Sequence, residues 1–322
     1  MSILQGPWAS AIIIGGPLLL LMLTVGAFAT WWERKFAARM HTRRGPNIVG
    51  PFGLFQPIAD ALKMMQKEDI VPHSADKVLF NIAPILPLFL VLASAVALPF
   101  GGDFDADGKW QSTLMVADLD IGVLWILAVA GLMVFPIWMA GWASNNKYSL
   151  LAGMRGVAQG ISYEIPMVMA AMVPVVASGE LSVSGIVAYQ AENGWAVGWH
   201  LFPFLGIPAF LLFFFASLAE ANRIPFDIPE AESELIGGVI VEYTGLKNGI
   251  FLLAEYVHTF VASLIAAILF LGGPHMPFLP GQAVLGPFWL LLKTFILFFV
   301  IYWIRWSWYR FRSDQLMELC WR

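Results

Sequence analysis

Seven long apolar stretches dominate the 322-residue chain, at roughly 9–32, 79–100, 119–142, 156–178, 200–219, 249–271 and 286–306. A helix needs about 20 apolar residues to cross the hydrocarbon core of a bilayer. The stretches are long enough for this, and they lack the two-residue alternation of barrel strands. The expected fold is all-α, a polytopic transmembrane helical bundle. Residues 1–322 form one integral membrane domain without linker or obvious internal repeat. Composition agrees with this reading. The chain is 59% hydrophobic and 12% charged, whereas soluble domains are about 25% charged, so a water-facing surface cannot be covered. The net charge of −4 argues against a nucleic-acid partner. A lone cysteine, Cys320, excludes an internal disulfide framework and any cysteine-rich metal or iron–sulfur site within this chain.

Charge placement sets the expected orientation. Loops 33–78, 143–155 and 220–248 and the tail from Arg305 hold 16 of the 18 Lys and Arg residues. The positive-inside rule assigns these loops to the cytoplasm. The alternate loops contain Lys109 alone, and 103–107 is acidic. No Lys or Arg precedes the first span, and Glu33-Arg34-Lys35 follows it. That order opposes a cleaved signal peptide and implies an uncleaved first helix with its N-terminus outside. Within loop 33–78, Pro57 can open a helix on which Leu54, Ile58, Leu62 and Met65 share a face. Gln56, Asp60, Lys63 and Lys67 fall elsewhere, the pattern of an amphipathic helix at the membrane surface or under a partner.

Ionisable residues in or near lipid mark pathways or paired structural sites, because charge there is costly. Glu33, Glu164, Glu220, Glu242 and Glu255 all sit near the expected cytoplasmic ends of spans. Taken singly, each is equally well explained as a helix cap or an arginine partner. Taken together they carry more. The stretch 220–242 gathers Glu220, Asp227, Glu230, Glu232, Glu234 and Glu242 around a single counter-charge, Arg223. Like charges at this density, and burial, push carboxylates toward neutral pKa values, where protons can be held and released. Arg34, Arg39, Arg43, Arg44, Arg155, Arg223 and Arg305 accompany the acids, and topology and lipid phosphates account for most of them. Lys293 stands inside an apolar run, either snorkelling outward or functional. The five histidines lack metal-ligand spacing, so no metal site is assigned. No phosphate loop, dinucleotide fingerprint or nucleophile motif is present.

Four segments carry a specific family signature. Glu33-Arg34-Lys35 leads to Arg43-Arg44-Gly45-Pro46-Asn47-Ile48-Val49-Gly50-Pro51-Phe52-Gly53, then Gln56-Pro57-Ile58-Ala59-Asp60 and Lys67-Glu68-Asp69. Next come Ser144-Asn145-Asn146-Lys147-Tyr148-Ser149-Leu150-Leu151, Arg155 and Ser162-Tyr163-Glu164. Last, Glu220-Ala221-Asn222-Arg223-Ile224-Pro225-Phe226-Asp227 runs on through Glu230-Ala231-Glu232-Ser233-Glu234-Leu235 to Glu242-Tyr243 and Glu255-Tyr256, with Arg312-Ser313-Asp314-Gln315-Leu316-Met317 near the end. Together they closely resemble the NuoH-type membrane subunit of proton-translocating NADH:quinone oxidoreductase, respiratory complex I, over essentially the whole chain from about residue 20.

The resemblance implies a subunit at the heel of the membrane arm of a bacterial inner-membrane complex. It would form much of the channel for a quinone, ubiquinone or menaquinone, framed by the first span, the amphipathic helix and the span near 249–271. It would bind no flavin, iron–sulfur cluster or metal itself. Its partners would be the peripheral-arm quinone and iron–sulfur module, small membrane subunits leading to antiporter-like subunits, and the lipid bilayer. The family's quinone-channel charges map to Arg34, Arg43, Asp60, Arg155, Arg223 and Arg305. Its proton-path carboxylates map to Glu164, Glu220, Asp227, Glu230, Glu232, Glu234, Glu242 and Glu255, and Lys293 matches a family lysine. His41 stands where the family often has Gln, and Arg44 where it often has Pro. Family members usually have eight spans, the last following the Asp-Gln-Leu-Met stretch, where this chain reads Cys320-Trp321-Arg322.

Two other functions share some of these features. The related membrane subunit of an energy-converting hydrogenase need not use quinone. An independent ion transporter would place ion-binding residues at midplane beside broken helices, whereas here the charges gather at one end.

Overall fold

The computed structural model describes residues 11–104, 110–192, 198–230, 232–276 and 282–321. Its helices are α1 (Gly16–Met40), α2 (Gln56–Gln66), α3 (Lys77–Ile82), α4 (Ile85–Ser94), α5 (Gly122–Gly131), α6 (Val134–Ala143), α7 (Lys147–Ser178), α8 (Val183–Glu192), α9 (Gly206–Glu220), α10 (Glu232–Leu235), α11 (Gly245–Phe270), α12 (Gln282–Ser307) and α13 (Ser313–Trp321). Among the described residues, five segments are long and apolar enough to cross a membrane: Ile13–Met40, Gly122–Ala143, Lys147–Ser178, Gly245–Phe270 and Leu285–Ser307. Ile85–Ala97 and Gly206–Glu220 are shorter apolar helices. The result is a polytopic helical bundle, as its sequence implies.

Local sequence explains where these helices start and stop. Pro17 stands in the first turn of α1, where its missing N–H costs nothing. Asp76 caps α3, its carboxylate accepting from the amides of Val78 at 3.1 Å and Leu79 at 3.4 Å. Asn146 caps α7 by accepting from Tyr148 N at 3.0 Å, and Gly179, with φ +75°, ends it. The stretch 79–100 is one apolar run in sequence but is divided between α3, α4 and a 3₁₀ turn at Ala95–Ala97, with Pro84 at the junction. Hydropathy counts apolar residues and does not register such a break.

Helix α11 is the hub. It packs against α12, α4, α1, α9 and α2. Of its apolar window 83% is buried, against 17% for α1. Helix α7 lies along α6 and α9. Small residues let these backbones approach: a Cβ on Gly141 would stand 2.7 Å from Ser149 O and 3.2 Å from Gly153 Cα. The amphipathic helix α2 leaves Ile58, Leu62 and Met65 exposed. Its other side meets α1 and α11.

One feature lies outside an all-helical expectation. Gly101–Phe104 (β1) and Trp110–Leu114 (β2) pair antiparallel as a small hairpin. It lies between the Ile85–Ala97 helix and α5, and the pairing lets backbone groups of the two strands satisfy one another. Of the acidic loop at 103–107, positions 105–107 lie outside the described residues.

Gly141→Val forces two backbones apart and should cost about 1–3 kcal/mol. A clearly lowered thermal midpoint of the purified protein is expected; an unchanged midpoint would contradict the close α6–α7 packing.

Candidate functional site

At the end of the bundle away from the hairpin, the loop after α9 turns back into the protein and carries Arg223 inside. Gln159 of α7 holds this loop, its amide donating to Ala219 O at 2.6 Å and Phe226 O at 2.7 Å. Arg223 is 2% exposed. Its Nε lies 3.0 Å from Glu255 Oε1 and 3.4 Å from Thr259 Oγ1. Its guanidinium rests 4.1 Å above the Tyr256 ring centroid, and Nη1 is 3.8 Å from Glu33 Oε2. Glu33, also buried, accepts from the Tyr256 hydroxyl at 2.6 Å. Arg305 Nη1 of α12 stands 2.8 Å from Glu33 Oε1. Two acids and two arginines thus tie α1, α11, α12 and the 220–230 loop at one point.

The charge states follow from these neighbours. Burial alone would pull the Arg223 guanidinium down, but Glu255, Tyr256 and Glu33 hold it above its ordinary value. Asp227 is pushed up to about 6, first by burial and then by Glu255, while Arg310 and Arg305 pull the other way. Arg223 Nη2, Asp227 Oδ1 and the Tyr302 hydroxyl are buried without a protein hydrogen-bond partner. Buried polar atoms of this kind are served by ordered water.

Beside the network lies a cavity of about 100 Å³ whose polar wall is formed by Glu220, Asn222, Glu230, Glu255 and His258. It has room for several water molecules. A second cavity, about 30 Å³, shares Glu220 and His258 and runs between apolar side chains of α4, α5 and α11. Glu164 on α7 faces Gly131, where a side chain would collide with its carboxylate, and its charge acts on Glu220. A line of carboxylates therefore leads from Glu255 through Glu220 toward Glu164.

The remaining expected site residues lie apart from this cluster. Arg34 pairs with Asp60 at 2.5 Å, joining α1 to α2. Arg155 pairs with Glu234 at 2.6 Å and holds that carboxylate below its usual range. Asn146 donates to Glu242 at 2.7 Å. Arg43 lines an open cleft beside α1. The Glu232 side chain lies outside the described residues. Lys293 is at the hairpin end, where its ammonium donates to the carbonyls of Leu271 at 2.7 Å, Gly273 at 2.9 Å and His275 at 2.6 Å. It also sits 4.6 Å over the Trp199 ring. Sequence reasoning did not select Tyr256, Thr259, His258 or Tyr302. The signal available was the polar run Glu255, Tyr256, His258 and Thr259 on an otherwise apolar helix.

Fold and site together define a multi-span membrane protein with buried, paired charge concentrated at one end. A family model described as NADH dehydrogenase matches residues 14–322. NADH-quinone oxidoreductase subunit 8 of Thermus thermophilus is 46% identical over 303 residues, covering 93% of this chain and 79% of that protein. The NADH-quinone oxidoreductase H-type subunit of Anaeromyxobacter dehalogenans is 42% identical over 342 residues, covering 98% and 80%. Its counterpart in Rhodospirillum rubrum is 41% identical over 319 residues, covering 98% and 90%. The chain belongs to this family, the membrane-embedded H-type subunits of NADH-quinone oxidoreductase, and is one subunit of that multi-subunit enzyme.

Removing Arg223 as Arg223→Met strands Glu255 without its counter-charge. The expected loss is about 3–5 kcal/mol, read as a lower thermal midpoint; Arg223→Lys, which keeps the charge but not the fork, should fall between. A wild-type midpoint in Arg223→Met would show that the network is not holding the bundle. Folding raises the Asp227 pKa from 3.8 to about 6. The native state therefore binds more protons than the unfolded chain in that window, and the Asp227 contribution falls as pH rises through it. Asp227→Asn should gain stability relative to wild type above about pH 6 and little below about pH 4; a pH-independent difference would contradict this.

Proposed function

We propose that this subunit forms part of the quinone channel and begins the coupling of quinone reduction to proton translocation. The carrying observation is the continuity between paired interior charge at Arg223, Glu255, Glu33 and Arg305 and the carboxylates Glu230 and Glu220, which line a cavity beside it, with Glu164 acting on Glu220. Quinone would approach where α1, α2 and α11 meet, near the Arg34–Asp60 pair. A Cβ on Gly26 would stand 3.1 Å from Leu253 of α11, and one on Gly249 would stand 2.6 Å from the Met64 sulfur of α2. These contacts support three helices closely apposed at the channel wall.

Two-electron reduction of a quinone takes up two protons to give the quinol. Negative charge arriving near this network acts strongly, because the surroundings screen little. It favours protonation of Glu255 and weakens the hold of Glu255 on Arg223. Released or displaced, Arg223 alters the field at Glu230 and Glu220, and a proton moves along the carboxylate line. Arg43, Arg155 and Glu234 would shape the face toward the peripheral arm, and Asp227, Glu232 and Glu242 the acidic loop around the line. Lys293, clamped by three carbonyls, would fix the hairpin end of α11 and keep the hub aligned. The orientation proposed is N-terminus outside, with the charged end in the cytoplasm, in the bacterial inner membrane. Peripheral-arm subunits would cover the charged end over the 220–242 loop, and small membrane subunits would continue the path.

Glu220→Gln and Glu255→Gln in the assembled complex should each lower NADH:quinone turnover and proton pumping at least about tenfold. Electron transfer from NADH to a water-soluble artificial acceptor should stay at the wild-type rate. Normal pumping in both variants would overturn the proposal.

A further inference from the structure

On the face of α1 turned away from α11, an open cleft of about 1,230 Å³ lies between the charged end of α1, the loop at 43–54 and Phe299 of α12. This exceeds the roughly 300–1,000 Å³ typical of small-molecule pockets. The loop is fixed: Trp31 Nε1 donates to Phe52 O at 3.2 Å. Gly45 packs so close to α1 that a Cβ there would stand 3.2 Å from Arg34 O and Lys35 Cα. The rest of the wall is built by the Phe36–Phe299 edge contact, with ring centroids 5.1 Å apart.

Two chemistries divide the cleft. Trp31, Trp32, Phe36 and Phe299 belong to spans and form an apolar aromatic wall. Lys35, Arg39, Arg43 and Arg44 ring the same space. None of these four makes an ion pair among the described residues, whereas Arg34, Arg155, Arg223 and Arg305 each have at least one. Glu33, on the same helix, points inward to Tyr256 and Arg305. The positive-inside rule accounts for cations at this end, but not for four uncompensated ones around a cavity with an aromatic wall.

We propose that this cleft is a binding site for an anionic phospholipid, its phosphate held by Lys35, Arg39 and Arg44 and its chains lying along Trp32, Phe36 and Phe299. A neutral quinone ring would leave the cations unmatched. An acidic protein segment would match the cations but has no use for an aromatic wall that continues into a span. The phospholipid matches both, and Trp side chains are suited to the membrane interface where the two meet.

The test uses the purified complex, which keeps every subunit in place. Photoactivatable phosphatidylglycerol and photoactivatable phosphatidylcholine are supplied separately in phosphatidylcholine vesicles. Phosphatidylglycerol should label the 31–44 segment of α1 and its loop in clear preference to phosphatidylcholine. Lys35→Gln, Arg39→Gln and Arg44→Gln combined should weaken that labelling on the order of 100-fold. The charge-retaining Lys35→Arg, Arg39→Lys and Arg44→Lys set should preserve it, which separates charge from folding. Millimolar inorganic phosphate should not compete; full competition would identify a free-anion site and overturn the lipid assignment. Equal labelling by both lipids, no loss in the neutralised set, or cross-linking of Arg39→Cys to an acidic segment of another subunit would also overturn it.

Discussion

The structure depends on a charge that should not be inside a membrane protein unaided. Arg223 is buried, and its desolvation is offset only because Glu255, Glu33, Thr259 and the Tyr256 face converge on it. Its partners come from different parts of the chain. Glu33 is on α1, Glu255 and Thr259 on α11, and Arg305, which completes the pairing, on α12. The constraint is mutual: the bundle positions the charges, and the charges fix how α1, α11 and α12 meet. Any change in the charge of one member must be felt by the others, since buried charges this close are weakly screened.

That arrangement suits the proposed movement of charge through this subunit. A buried ion-pair network is poised when its members can trade partners at small cost. Glu255 has Arg223 on one side and the cavity with Glu230 and Glu220 on the other. Arg223 has two acids within reach and a donor nitrogen left over. The hairpin end is built differently. There Lys293 meets three carbonyl oxygens and an aromatic ring, and Gln190 binds the carbonyls of Ile268 and Leu269 while accepting from Gly272 N. One end of α11 is held by these contacts and the other carries the paired charge.

Much of the fold was legible because membrane proteins are constrained by one dominant variable. Long apolar runs, the basic loops between them and the face formed by Ile58, Leu62 and Met65 are readable one residue at a time. The acids of 220–242 stood out for the same reason. Pairings were not legible. Nothing local says that Glu33 meets Arg305 or that Arg155 meets Glu234, because those partners lie far apart along the chain. Lys293 reads as a buried charge in sequence, and only the fold brings the Leu271, Gly273 and His275 carbonyls to it. The pairing of Gly101–Phe104 with Trp110–Leu114 was hidden because it satisfies backbone groups and leaves little hydropathic trace.

The coupling proposed for this subunit requires Glu220 and Glu255 to change protonation when quinone is reduced. Infrared difference spectroscopy on the reconstituted complex, recorded as NADH reduces it, measures this directly through the carboxylic acid C=O stretch. The expected result is a carboxyl band in the wild type that is diminished in Glu220→Gln and in Glu255→Gln, each with its own part missing. A band unchanged in both variants, with quinone reduction proceeding normally, would contradict it.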